Sequence, residues 1–248
     1  MPAGALERAV ALLAQLGEGA DEPTVAELAG AAGVPTSTAY RLLGELEQHG
    51  LISRAAGSTV ALGTRLVALG RSAEAGLRAR IVDPAAPIME RLSTRTGETV
   101  ILTAPCGLEA LVLHVVEPEV HPVRLSYALY RRGPLHRGAS GKIVAAFLEP
   151  TERRLLIEAV GDPRLEARLR RIHADGFAFT DSELDGGAAA VAAPVLDRRG
   201  RLVAGLSIAG PSARFAGDRA ETVAAVREAA RRIERALRES RSQSDRDV

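Results

Sequence analysis

Thr36, Ser37, Thr38, Tyr40 and Arg41 open a segment whose apolar residues, Ala39, Leu42, Leu43 and Leu46, recur at helical spacing. On such a helix Ser37, Thr38, Arg41 and Gln48 face away from the core. Hydroxyls, a phenol and a guanidinium at the exposed start of a helix suit a DNA major groove. Arginine donates a pair of hydrogen bonds to a guanine edge, and short hydroxyls anchor phosphate oxygens. An ordinary capped helix with a solvated face is the plainer alternative. Just upstream, Thr24 and Glu27 form a T-x-x-E capping box, with Val25, Leu28 and Ala29 on the buried side of a short helix over 24–32. Gly33-Val34-Pro35 breaks that helix, and Gly50 stops the next one, expected over 36–49. Two short amphipathic helices joined by a tight turn make a helix-turn-helix.

A second constellation is Arg137-Gly138-Ala139-Ser140-Gly141-Lys142. Glycine-rich backbone running into a helix presents free N–H groups at its positive end, and Arg137 adds charge, so the segment is a natural anion seat. It lacks the glycine and the Ser/Thr of a Walker A loop. Lys142 is the only lysine in the chain. The alternative is a helix terminus simply packed on a sheet. A third group, Thr180-Asp181-Ser182-Glu183, ends a β-like run and reads equally well as turn chemistry. Ser140, His136 and Asp181 contain the groups of a hydrolase, yet no G-x-S-x-G elbow is present. The histidines, His49, His114, His121, His136 and His173, lack metal-ligand spacing. No catalytic residue, metal or other cofactor is expected.

These groups need a scaffold. A chain of 248 residues that is 46% hydrophobic has room for two domains with cores of their own. No apolar run reaches the roughly 20 residues of a membrane helix. The start, MPAGALERAV, carries charges where a secretory leader would be apolar, so a cytoplasmic protein with no membrane partner is expected. The lone cysteine, Cys106, excludes an internal disulfide. Net charge is only +1. Over residues 1–70, Arg8, Arg41, Arg54 and Arg65 are outnumbered by Glu7, Glu18, Asp21, Glu22, Glu27, Glu45 and Glu47. Binding to DNA must therefore rest on local placement and on dimerisation, not on bulk charge. The same imbalance keeps a second reading open, a sensor or protein-interaction module without specific DNA binding.

Periodicity predicts a first helix over 3–17, with Leu6, Val10, Leu13 and Leu16 in phase. Leu51–Arg54 and Thr59–Leu62 are predicted to form a hairpin wing around Ala55–Ser58. Residues 64–80 form a helical connector with Leu66, Leu69 and Leu77 on one side. Asp83 and Pro84 fit the N-cap and first position of a further helix running to Thr96. Strands are expected at Thr99–Ala104, Ala110–Val116, Val123–Tyr127, Ala178–Thr180, Ala189–Val195 and Leu202–Ile208. Helices are expected at Ala139–Phe147, Thr151–Ala159, Arg164–Ala174 and 218–239. The fold class is α+β. The domains are 1–63, a linker helix over 64–80, a sensor over 81–240, and a disordered polar tail over 241–248.

The chain resembles the isocitrate lyase regulator (IclR) family of bacterial transcription factors over nearly its whole length. The resemblance rests on ALERAVALLAQL, TVAELAGAAGVPTSTAYRLLGELEQHGLI, ALGTRLVALG, GPLHRGASGKIVAAFL and GFAFTDSELDGGAAAVAAPVLDRRGRLVAGLSIAGPSARF, in that order. It implies an N-terminal winged helix-turn-helix, a linker helix and a GAF-like C-terminal domain that binds a small effector. It also implies a homodimer or homotetramer on double-stranded operator DNA, most commonly as a repressor. The recognition helix would contribute Thr36, Ser37, Thr38, Tyr40 and Arg41, and the wing Arg54 and Thr59. The effector pocket would take in Gly138, Ala139, Thr180, Asp181, Glu183 and Ala190, with Leu125 and Tyr127 as an apolar wall. Ala190 stands where many relatives have Cys or Ser. That departure removes a hydrogen-bonding group and suits a more apolar or aromatic acid over a glyoxylate- or pyruvate-like one.

Overall fold

The computed structural model describes residues 4–19, 22–54, 59–121, 124–215, 217 and 219–244. They fall into two compact units, Met1–Gly76 and Leu77–Val248.

In the first unit, α1 (Ala5–Glu18), α2 (Val25–Ala31) and α3 (Thr36–Gln48) enclose one core with β1 (Ile52–Arg54) and β2 (Val60–Leu62). Thr24 caps α2 as its sequence predicts. Its backbone N–H donates to Glu27 Oε2 at 2.9 Å, and the Glu27 N–H donates back to Thr24 Oγ1 at 3.3 Å. Such a cap contributes about 1 kcal/mol. The bond from the Thr24 backbone, with that from its hydroxyl, holds the Glu27 carboxyl below its ordinary pKa. Gly33 makes the α2–α3 turn at φ +62°, a conformation that glycine adopts without strain. Ala39, Leu42 and Leu43 turn inward from α3. β1 and β2 pair antiparallel, Ile52 opposite Leu62 and Arg54 opposite Val60. The wing turn assigned to Ala55–Ser58 lies outside the described residues. In α1 the expected face is displaced: Leu12 and Leu16 are buried, whereas Leu6 and Val10 are 79% and 55% exposed. Helix α4 (Thr64–Leu77) buries none of its residues, leaving Val67 and Leu69 exposed.

The expected break before Asp83 is absent. Helix α4, a π-helical turn (Arg78–Val82) and α5 (Asp83–Thr96) follow one another without interruption. Asp83 is helical at φ −61°, ψ −39°, and its N–H donates to the Arg78 carbonyl five residues back. A proline inside an α-helix lacks the N–H and crowds the carbonyl one turn earlier. The wider π turn next to Pro84 absorbs that conflict. The Asp83 carboxylate, free of a capping role, pairs with Arg78 at 3.4 Å.

The second unit is built on a six-stranded antiparallel sheet in the order β5-β4-β3-β8-β7-β6. Its strands are β3 (Thr99–Cys106), β4 (Glu109–Val116), β5 (Arg132–Pro134), β6 (Ala178–Asp181), β7 (Ala188–Leu196) and β8 (Leu202–Pro211). Period-two alternation divides the side chains between two layers. Val100, Leu102, Val191, Ala193, Leu206 and Ile208 pack under α5 and α10 (Arg219–Ser244). The other face carries Ile101, Thr103, Ala190, Ala192, Ser207 and Ala209 beneath α6 (Gly138–Ala146), with α7 (Pro150–Val160) and α8 (Leu165–Asp175) outside it. Between β3 and β4 lies a tight turn, Gly107 having φ +60°. Asp197 accepts from the N–H groups of Arg199 and Arg201 at 2.7 and 3.0 Å, which makes the β7–β8 turn that the sequence predicts.

Two elements differ from expectation. No strand forms over Arg124–Tyr127, the described part of the expected Val123–Tyr127 strand. Val123 lies outside the described residues, and Arg124–Tyr127 run irregularly, with the Leu125 carbonyl accepting from Thr99 Oγ1 at 2.6 Å. The edge of β4 over Glu109–Leu111 is instead taken by β5, Leu111 opposite Arg132, and Val112 bonds to Arg131 and Tyr130 just before it. The last helix reaches Ser244, five residues past its predicted end. Residues 245–248 of the predicted tail lie outside the described ones.

Candidate nucleic-acid interface and ligand pocket

On α3, Thr36, Ser37, Tyr40 and Arg41 are exposed and Thr38 is half-buried, and Ser37, Thr38 and Arg41 lie on one side of the helix. The Arg41 guanidinium lies 2.6 Å from Glu45 Oε1, an exposed i, i+4 pair. Arg54 leaves β1 toward α3: it pairs with Glu47 at 3.0 Å and sits 6.0 Å above the Tyr40 ring. Strand β1 thereby places a cation beside the exposed side of α3. Thr59 is less free. It bridges to Thr24, and its hydroxyl donates to Glu22 at 3.3 Å.

The second unit contains a cavity of about 120 Å³ on the α6 face of its sheet. Its floor is Ile101, Val112, Ala190 and Ala209, its sides are the start of α6 and the loop Glu183–Asp185, and its rim includes Tyr127 and Arg131. Of the residues expected there, Tyr127, Gly138, Ala139, Thr180, Glu183 and Ala190 line it, while Leu125 and Asp181 do not. Leu125 packs behind the wall with Ile101 and Val112. The Asp181 carboxylate accepts from Ser212 Oγ at 2.6 Å and Ser182 Oγ at 2.9 Å, and these bonds hold its pKa below the usual range. It works as a turn residue. Ser140, from the glycine-rich constellation, also lines it, and Thr103, Arg131 and Leu184 join the lining without having been singled out, since only the sheet register and the loop path reveal them.

Helix α6 is buried over almost its full length, so its first turn is fixed against the sheet. Gly141 allows the close approach: a Cβ there would lie 2.3 Å from the Pro134 carbonyl oxygen. The expected anion seat at Gly138 is occupied from within the protein. The Gly138 N–H donates to Glu183 Oε2 at 2.9 Å, Lys142 Nζ donates to Glu183 Oε1, and Arg137 donates to the Glu183 backbone carbonyl. The Tyr127 phenol is pushed above its ordinary pKa by burial, with Asp185 adding to that and Arg131 opposing it. It stays neutral and able to donate near pH 7. Ser140 Oγ is bonded to Ser207 Oγ at 2.7 Å, so Ser140 and Asp181 are both committed away from His136. The hydrolytic grouping does not assemble.

Residues 5–56 match the IclR helix-turn-helix domain, and residues 75–235 match the C-terminal domain of the bacterial transcriptional regulator IclR. The chain belongs to the IclR family. As an IclR-family protein it is a helix-turn-helix transcriptional regulator, with a winged helix-turn-helix followed by the family's α+β domain. It is 32% identical over 209 residues to the HTH-type transcriptional regulator KipR of Bacillus subtilis (strain 168), covering 79% of this chain and 82% of KipR. It is 30% identical over 235 residues to the regulator KdgR of Escherichia coli (strain K12), covering 90% and 88%. Among solved structures, it is similar to an IclR homologue of Microbacterium hydrocarbonoxydans complexed with 4-hydroxybenzoate. That match has a TM-score of 0.67 and 27% identity, and covers 95% of this chain and 100% of the homologue. No helix among the described residues is long and apolar enough to cross a membrane.

Proposed function

We propose that this regulator is a cytoplasmic repressor whose operator affinity is set by a small carboxylic or aromatic acid bound on the α6 face of the second unit. Residues 1–63 bind DNA through Thr36, Ser37, Thr38, Tyr40 and Arg41, with Arg54 and Thr59 from the wing side. Residues 64–80 link, and 81–240 hold the effector. Two copies pair through the exposed Leu6 and Val10 of α1 and Val67 and Leu69 of α4, so that two recognition helices meet a palindromic site. The effector acts by binding one arrangement of the dimer more tightly than the other.

One observation carries the effector reading. The cavity is walled mainly by small apolar side chains, yet Thr180, only 9% exposed, and Tyr127 line it with hydroxyls that bond to nothing among the described residues. Hydroxyls that face a cavity without a protein partner are open to a ligand, so these support a ligand as their partner. At about 120 Å³ the space is near the roughly 150 Å³ of a cavity that admits one benzene ring. Alanine at 190 widens the floor where a larger side chain would fill it. The relative that binds 4-hydroxybenzoate supports a ligand of this size and class.

Calorimetric titration with 4-hydroxybenzoate tests this. Ala190→Phe places a ring in the cavity and is expected to weaken acid binding at least about tenfold, a loss equivalent to one ring's worth of excluded contact. Wild-type affinity in the variant would contradict the site.

A further inference from the structure

The loop between β6 and β7 carries a carboxylate into the place where an acidic ligand would put its own. Three donors at the positive end of α6 are spent on Glu183: the Gly138 N–H, Lys142 Nζ and the Arg137 guanidinium. Lys142 is buried, and Glu183 is half-buried beside it. Leu184 lies against Gly138, where a Cβ would sit 2.3 Å from Leu184 Cδ1, and Gly138 takes φ +69°, so the loop rests directly on the start of the helix. Both ends of the loop are tied elsewhere. Ser212 N–H donates to the Gly187 carbonyl at 2.8 Å, and Ser212 Oγ donates to Asp181 at 2.6 Å.

The rest of the cavity is in the opposite condition. The hydroxyls of Thr180 and Tyr127, both in the lining, bond to nothing among the described residues. The pocket thus has hydroxyls that are open and, at the first turn of α6, a lining carboxylate, Glu183, that is held by the Gly138 N–H and by Lys142, a cation not itself in the lining.

We infer that Glu183 is a resident counter-anion of the effector pocket, displaced from Gly138 and Lys142 by the carboxylate of the effector, an inference that rests on the ligand-pocket reading above. Exchange of one carboxylate for another keeps Lys142 paired in both states, so no step leaves a buried cation alone. The helix N-terminus is likewise satisfied before and after. An acid therefore binds against the hold of Glu183, and its arrival frees the Glu183–Asp185 segment while Asp181 and Gly187 stay anchored. A neutral analogue fills the apolar part, bonds to Thr180 and Tyr127, and leaves Glu183 in place. Two ligands of one shape are then distinguished by whether they move the loop.

The test is calorimetric titration of the full-length protein with 4-hydroxybenzoate and its neutral counterpart 4-hydroxybenzamide. Glu183→Gln keeps the side chain's shape and removes its charge. It is expected to strengthen binding of the acid about tenfold or more while the amide changes by less than about twofold, because only the acid competes with the resident charge. In the wild-type protein the amide ¹⁵N resonance of Gly138 is expected to move with the acid and stay with the amide, a readout that survives if the variant fails to fold. An unchanged acid-to-amide ratio in Glu183→Gln, or a Gly138 resonance that responds equally to both ligands, would overturn the counter-anion and leave the pocket standing. If neither compound binds the wild-type protein, the pocket reading fails and the counter-anion fails with it.

Discussion

Replacing Arg41 with alanine is expected to weaken operator binding by about tenfold to a hundredfold and to relax base preference at one position of each half-site, the loss of a bidentate base contact worth about 1–3 kcal/mol. The side chain is exposed on the face of α3 that also bears Ser37 and Thr38. Its pairing with Glu45 at 2.6 Å does not hold it back, because an exposed i, i+4 pair contributes about 0.3–0.5 kcal/mol and is screened by salt. The substitution leaves the buried side of the helix, Ala39, Leu42 and Leu43, untouched. A fall in affinity therefore reports a contact and not an unfolded domain. Anisotropy titrations on the wild-type operator and on single-base variants read both effects. Unchanged affinity, with unchanged base preference, would remove Arg41 from the interface.

Gly141→Ala is the substitution expected to damage the sensor unit most. The new Cβ would lie 2.3 Å from the Pro134 oxygen and 3.2 Å from Leu135 Cα, all of it backbone that cannot rotate away. Helix α6 cannot slide to make room, because Ala139, Ile143, Val144 and Ala145 are at most 1% exposed. Overpacking of this kind costs about 1–3 kcal/mol. The same shift displaces the first turn of α6, Gly138 to Gly141, which lines the cavity, so ligand affinity falls together with stability. Urea unfolding followed by circular dichroism gives the first quantity and calorimetry the second. Wild-type values for both would mean that α6 does not rest on the β5–α6 segment.

What was legible in the sequence was local. The Thr24–Glu27 box, the Gly33 turn and the inward face of α3 are set by neighbours within one or two helical turns, and they form as their spacing predicts. The β7–β8 turn at Asp197 is likewise written in consecutive residues. The failures have long-range causes. Asp83-Pro84 has the chemistry of a helix start, but a π turn immediately before it accommodates the proline. Arg124–Tyr127 alternate like a strand, yet the neighbouring edge is claimed by Arg132–Pro134, a run whose glycine and proline give no strand signal. Leu6 and Val10 lie in phase with a helix but not with the core, and periodicity does not say against what a stripe is buried. In the pocket, Gly138, Thr180 and Ala190 were found by resemblance to a family. Glu183 was found the same way, but its seat on α6 was not, because nothing around it in the sequence indicates a reach to an amide 45 residues away. Asp181 and Glu183 look alike in sequence; one caps a turn and the other seats on a helix.

The central claim is that this chain reads a specific DNA sequence through α3 despite an acidic balance around it. The most direct test is fluorescence anisotropy of the purified protein on the DNA upstream of its own gene, over a range of salt concentrations and against excess nonspecific DNA. The account predicts a complex that survives the competitor and whose log affinity falls linearly with log salt, with a slope set by the few arginines near the helix. Folded protein that binds both DNAs equally, or neither, would contradict it.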